Sequence, residues 1–300
     1  MEVNVNNSLK LFIEYLQIEK NYSQYTIEHY QHDIREFIMF MSEQGLSNLE
    51  DVEYSDTRIF LTRLFNQQLS RKSVARKISC MRSFYKFLLR EKLTSDNPFS
   101  LVSIPKSEKR LPDFFYEEEL AKLFEACETE SVLGKRNKAI LELLYGTGIR
   151  VGECSKIQLR DIDFSLSTVL VRGKGKKERY VPFGSFAHDA LEDYINNGRK
   201  EILKEKEDHH YLFVNFRGGP LTDRGIREIL NKLIEKSALT GKIHPHKLRH
   251  TFATHMMSNG ADMRTVQELL GHAFLSSTQV YTHVTKEHLR NIYMSHHPRA

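Results

Sequence analysis

The chain has 300 residues, with 44 Lys and Arg against 39 Asp and Glu for a formal charge of +5, and 40% of its residues are apolar. That is the composition of a folded globular protein long enough for two domains, and it excludes a disordered chain. No apolar run approaches the roughly 18 residues that span a bilayer and MEVNVNNSLK lacks the layout of a secretion signal, so no membrane insertion and a cytoplasmic location are expected.

In chain order, SLKLFIEYLQIEK and SQYTIEHYQHDIREFIMFMSEQG repeat apolar residues every three or four positions and predict two helices, the second ending at Gly45. In SRKSVARKISCMRSFYKFLLREK, Val74, Ile78, Met81, Tyr85 and Leu88 mark one apolar helical face, with Ser70 or Ser73 as the cap. Charge is unevenly placed along this part. Residues 1–57 hold three basic residues, Lys10, Lys20 and Arg35, against eleven acidic ones, whereas residues 58–92 hold ten basic residues against Glu91 alone. A reversal that sharp turns one face toward a polyanion, and Arg71, Lys72, Arg76, Lys77, Arg82 and Lys86 are the candidate contacts to nucleic-acid phosphates or grooves. A solvated basic helix is the plain alternative.

Asn97-Pro98 and Ile104-Pro105 cannot continue a helix, and PKSEKRLP is polar with Pro at both ends. Residues 1–100 therefore read as a small helical bundle, 101–112 as a linker and 113–300 as a second domain. There FYEEELAKLFEACETE and GKRNKAILELLYGTG are helical, the latter broken at Gly146 and Gly148. The period then changes: Thr168 to Val171 and Arg179 to Phe183 are extended around the turn Gly173-Lys174-Gly175-Lys176-Lys177, a β-hairpin with a basic tip. YLFVNF at 211–216 reads as a further strand. The rest is helical: TDRGIREILNKLIEKSAL, HKLRHTFATHMMSNG, DMRTVQELLG with Asp262 as its cap, and a last stretch from near Ser276 that carries Tyr281.

Nine of the 14 histidines lie at or after His244, which raises a metal site, with His246, His250 and His255 as the ligands to test. No Glu sits within HKLRHTFATH to complete a zinc-hydrolase pattern, and Arg249 among the histidines repels a cation. Cys80, Cys127 and Cys154 lack ligand spacing and read as buried thiols. Phosphate fits the segment better. His246 and Arg249 are spaced i, i+3 on one helical face, and a guanidinium holds two phosphate oxygens at once. Arg150, just after the GTG break, is a second candidate, although by itself it reads as an ordinary surface arginine.

GTGIRVGE, GKGKKERYVP, HPHKLRHTFATH, LLGH and STQVYTHV stand in this order, and together they resemble the tyrosine recombinase (phage integrase) family, Xer type, over nearly the whole chain. The resemblance implies a mainly α fold: a SAM-like helical core-binding domain, and a mostly helical catalytic domain with a small antiparallel β-sheet, the two clamping DNA. It assigns Arg150, Lys174, His246, Arg249, His272 and Tyr281 to the catalytic set. Among Xer proteins the pattern is nearest the XerC type. That implies double-stranded DNA carrying a dif-like site, a XerD-type partner in a tetramer of two XerC and two XerD, and control by an FtsK-type translocase. An integrase of a mobile element, a noncatalytic DNA-binding relative and a type IB topoisomerase are the rival readings.

The implied roles suit the side chains. A Tyr hydroxyl, pKa about 10, attacks a phosphodiester only once the proton is removed and the phosphate charge is met. Tyr281 is the nucleophile, Arg150 and Arg249 stabilise the phosphate oxygens, and Lys174 protonates the leaving 5′-oxygen, with Lys176 or Lys177 as the alternative; these latter two otherwise contact the DNA backbone. His246 and His272 share hydrogen bonding and proton uptake in a division left open. The phosphotyrosyl bond conserves the energy of the broken one, so no cofactor, metal or nucleotide is expected. KEHLRNIYMSHHPRA keeps Leu289, Ile292 and Tyr293 at helical spacing, for docking either on a neighbouring protomer or on its own domain.

Overall fold

The computed structural model describes residues 5–20, 22–103, 114–173, 177–204, 209–239, 245–271 and 283–300. The chain divides into two compact units, Met1–Lys109 and Arg110–Ala300.

The first unit is built of α1 (Val5–Ile18), α2 (Gln24–Glu43), α3 (Tyr54–Asn66) and α4 (Arg71–Arg90). Ser23 caps α2 by accepting from the Thr26 amide, and Ser70, the first of the two serines considered, caps α4 by accepting from Ser73 at 3.2 Å. The core is aromatic. The Phe37 ring lies 5.1 Å from Phe60 and 5.2 Å from Phe99, and the buried Tyr85 donates to the Leu49 carbonyl at 3.1 Å. Helix α3 adds to the predicted set; Thr57, Phe60 and Leu64 are buried on it, but exposed Tyr54, Ile59 and Phe65 blur its apolar stripe.

The second unit opens with α5 (Glu117–Glu125), α6 (Val132–Thr147) and the single turn α7 (Val151–Cys154). A three-stranded antiparallel sheet follows, β1 (Ile162–Asp163), β2 (Thr168–Arg172) and β3 (Glu178–Pro182), in the order β1-β2-β3. Next come α8 (Ser185–Asp193), running through a π-turn into α9 (Lys200–Leu203), then α10 (Asp223–Lys236), α11 (Pro245–Ser258), α12 (Met263–Leu270) and α13 (His283–His296). The mainly α fold and the hairpin at 168–183 match the sequence reading. Helix α6 is the centre of the core, buried from Ala139 to Thr147; it runs through Gly146 and stops only at Gly148, where φ is +61°.

The strand read at 211–216 is replaced by isolated bridges, Tyr211 to Gln158 and Val214 to Pro220. Leu212, Phe213 and Val214 are buried in succession, without the alternation of a half-covered strand. The carbonyls of Tyr211, Leu212 and Val214 are taken by the side chains of Arg199, Tyr194 and Arg136 at 3.0 to 3.2 Å, so side chains meet these three carbonyls where a ladder would, while the Leu212 amide and the Phe213 carbonyl keep backbone partners in Ile157 and Leu221.

Helix α13 packs on its own unit, with Leu289 and Tyr293 among Phe252, Met256, Val266 and Leu269. The tail beyond it is also anchored: the Arg299 guanidinium pairs with the buried Glu142 carboxylate and lies between the Phe124 and Phe186 rings. The stretch 276–282 lies outside the described residues. The three cysteines are buried free thiols, and none of the helices, searched over the described residues, is long and apolar enough to cross a membrane.

Candidate active site

Three backbone features bring the arginines together. Helix α6 ends at Gly148, a glycine required twice over: its φ is positive, and a Cβ there would lie 2.6 Å from the Phe252 ring and 2.7 Å from Leu270. The chain then reverses into α7, with Arg150 as its N-cap. Helix α12, capped at its start by Asp262 as predicted, ends at Gly271, where φ is +67°. Arg249, three residues after His246 on α11, reaches between these two ends; it donates to the Gly148 carbonyl at 2.8 Å and to the Leu270 carbonyl at 2.6 Å.

Glu153 lies at the centre, 7% exposed. Its carboxylate accepts from the Arg150 amide at 3.0 Å and the Arg150 side chain at 2.9 Å, and from Arg179 at 2.9 and 3.3 Å. Burial by itself would raise the Glu153 pKa, but the hydrogen bonds from Arg179 and Arg150 outweigh it and hold the group below its usual range. Arg249 feels the opposite imbalance. Burial first, and then Arg150 and Arg179 against the opposing pull of Glu153, push it down to about 10. Two guanidiniums share the Glu153 carboxylate, the third, Arg249, feels its charge while bonded to the Gly148 and Leu270 carbonyls, and the Arg150 side chain stays 43% exposed. That is a preorganised receptor for an anion, of the kind that stabilises a phosphoryl transition state.

His246 stands exposed on the first turn of α11. Lys174, His272 and Tyr281, and Lys176 with them, lie outside the described residues. Of the described residues on either side of Lys174, the Gly173 amide donates to the Lys177 carbonyl at 2.7 Å, and Lys177 is exposed. His255, one of the histidines weighed for a metal, meets the Tyr145 hydroxyl at 2.9 Å in the core. Glu153 and Arg179 were missed as site residues. Glu153 lies within GTGIRVGE and Arg179 within GKGKKERYVP, but nothing in the spacing pairs two residues 26 apart.

On α4 the six basic candidates separate. Arg71, Lys72 and Lys86 are exposed, and Arg76 keeps 43% of its side chain exposed while pairing with Asp33. Lys77 is buried between Asp33 at 3.0 Å and Glu36 at 2.5 Å. Arg82 donates to the Phe99 and Ser100 carbonyls, at 2.9 and 3.4 Å, and to the Val102 carbonyl. In the chain without DNA these two are engaged in contacts within the bundle, unlike the exposed Arg71, Lys72 and Lys86.

Comparison with known proteins fits this geometry. Residues 113–288 match the phage integrase family and residues 9–92 its N-terminal SAM-like domain. The chain belongs to the phage integrase family, and so is a tyrosine recombinase. Within it, the chain is 60% identical to Tyrosine recombinase XerC of Bacillus subtilis (strain 168), over 99% of this chain and 98% of that one, and 56% identical to Tyrosine recombinase XerC of Listeria innocua, over 97% of each. Among solved structures, the XerA recombinase is similar at 30% identity over 99% of this chain and 100% of that one, with a TM-score of 0.50. A lambda integrase (75-356) dimer bound to a COC' core site shares the fold, with a TM-score of 0.67 at 19% identity over 95% of this chain and 94% of that one.

Proposed function

We propose that the chain cuts and rejoins duplex DNA at a dif-like site through a 3′-phosphotyrosyl intermediate. The observation that carries this reading is the unbalanced cluster, in which, among the described residues, Arg150 and Arg179 bond the Glu153 carboxylate and Arg249 lies within its field. An enclosed excess of positive charge with exposed Arg150 on one side suits a phosphodiester that gains charge on its nonbridging oxygens during attack. In this reading the Tyr281 hydroxyl gives up its proton to one of His246 and His272, its oxygen bonds to phosphorus, and the 5′-oxygen leaves with a proton from Lys174. Arg150 and Arg249 hold the nonbridging oxygens, and His246 and His272 hydrogen-bond to them. Attack by a 5′-hydroxyl of another duplex reverses the step and returns the proton.

Residues 1–100 serve as the core-binding domain and 113–300 as the catalytic domain, with Arg71, Lys72, Arg76, Lys86, Lys176 and Lys177 meeting the DNA backbone. The likeness to proteins named XerC supports chromosome-dimer resolution in the cytoplasm, by two such chains and two of a XerD-type partner, under an FtsK-type translocase.

The test is a nicked suicide duplex carrying a dif-like site, incubated in EDTA with a XerD-type partner, and read as an SDS-stable protein-DNA adduct. The adduct is expected with the natural chain, and its loss in Tyr281→Phe with DNA affinity retained. DNA binding without adduct, an adduct surviving Tyr281→Phe, or one formed only with magnesium would each overturn the reading.

A further inference from the structure

Arg179 occupies a position where the pattern of β3 calls for an apolar side chain. It lies opposite Val171 in the β2–β3 register and points to the covered face that Val181 also occupies, 8% exposed. A charge in that place is held by its partners. Two of its nitrogens bond the Glu153 carboxylate, and its Nε donates to the Leu269 carbonyl at 3.2 Å. A Cβ built on Gly271 would lie 3.0 Å from the Arg179 guanidinium, so the turn that ends α12 rests directly on it. A Cβ built on Gly173 would lie 3.7 Å from Glu153 and 3.9 Å from Arg179, which sets the pair against the base of the β2–β3 turn as well. Arg179 and Arg249 thus take the consecutive carbonyls of Leu269 and Leu270, the negative end of the α12 dipole.

We infer that Arg179 is a positioning residue for the strand-cleavage reaction, acting through Glu153 to keep Arg150 aimed toward the phosphate. The inference rests on the recombinase reading given above. With Arg179 present, the Glu153 carboxylate is divided between two guanidiniums, and the group keeps a net positive charge facing a substrate. Without it, Glu153 has one cation beside it, pairs fully with Arg150 and draws that side chain back from the anion it should meet. Arg179 touches no substrate in this scheme. Its effect appears only where the phosphate carries negative charge.

The experiment compares cleavage of two suicide duplexes, one with an ordinary scissile phosphodiester and one with a neutral methylphosphonate in its place. Arg179→Met is expected to cleave the phosphodiester about 100-fold more slowly than the natural chain, the penalty typical of a displaced catalytic group. On the methylphosphonate, where there is less charge for Arg150 to meet, its deficit should shrink at least tenfold. Arg179→Lys, which cannot bond Glu153 through two nitrogens of one planar group, should fall between. If Arg179→Met does not fold, the lysine variant carries the same comparison. Equal slowing on both substrates marks a merely structural residue and overturns the inference, as does an unchanged rate on the phosphodiester. Absence of adduct with the natural chain overturns the recombinase reading itself, so the two failures are distinguishable.

Discussion

Two buried ionic clusters lie in the two units, and their charge counts differ. In the first unit, Arg76 and Lys77 face Asp33 and Glu36, two cations against two carboxylates, with Asp33 1% exposed. In the second, Arg150, Arg179 and Arg249 face Glu153 alone. A balanced cluster needs nothing further and fixes α2 to α4. An unbalanced one holds like charges together against their repulsion, and the surrounding fold must supply the restraint. Here that restraint is the carbonyls of Gly148, Leu269 and Leu270, which accept from Arg249 and Arg179. In the reading proposed above, the difference separates a cluster that maintains a fold from one suited to receive an anion.

The contrast can be broken by one substitution in each cluster. Arg150→Ala should lower adduct formation about 1,000-fold, at the upper end for loss of one transition-state donor, and leave the urea unfolding midpoint unchanged or slightly raised as repulsion on Arg249 falls. Asp33→Asn should do the reverse. It leaves Lys77 buried with only Glu36 and should cost about 3 kcal/mol in urea unfolding, while cleavage per folded molecule is unchanged. If Arg150→Ala destabilised the protein as much as Asp33→Asn, the two clusters would be alike and the distinction would fail.

The sequence made the helices and the hairpin legible because their signals are local. Ser70 and Asp262 act on amides three residues on, and Val169 and Val181 face each other across a short turn. It left the charge pairing hidden, because partners in space are strangers in sequence. Lys77 and Lys72 look equivalent in a basic helix until Asp33 and Glu36, more than 40 residues earlier, are seen to enclose one of them. Arg82 likewise has no local mark of its bonds to the chain that follows α4. Arg150 and Arg249 were assigned through the motifs that carry them, whereas Arg179, inside GKGKKERYVP, was passed over because it reads there as one more basic residue beside the hairpin tip.

A third cluster sharpens the comparison, since it is buried and titratable yet uncharged. His297 lies stacked on Tyr293 with ring centroids 4.9 Å apart and beside Tyr145 at 5.0 Å, and its neighbours His255 and Arg299 are both hostile to a second positive charge. Burial above all pushes its pKa down to about 3. A histidine depressed in the folded state stabilises the fold fully above its unfolded pKa, near 6.5, and that stability is lost as pH falls from there toward 3. Between pH 7 and pH 5 the loss from His297 should be about 2 kcal/mol. Chemical unfolding at the two pH values measures it, and His297→Gln should flatten the difference by that amount. An undiminished pH dependence in the variant would remove His297 as its source.

The smallest effect concerns the exposed face of α4, where the charge surplus of the first unit meets solvent. Among the described residues Arg71 and Lys72 have no carboxylate or carbonyl partner, and each stands exposed at the start of the helix. Every phosphate neutralised by such a side chain contributes about 0.9 to the slope of log affinity against log salt. Arg71→Ala should therefore reduce the slope by about 1 in a binding titration from low to moderate salt. Arg82→Ala should leave the slope unchanged, since its guanidinium is committed to Phe99, Ser100 and Val102, and should appear instead as lost stability of the first unit. The reverse outcome, a slope that responds to Arg82 and not to Arg71, would mean that the carbonyl-bound arginine releases its partners to reach DNA and that burial among fold contacts is no guide to which cations of this helix bind.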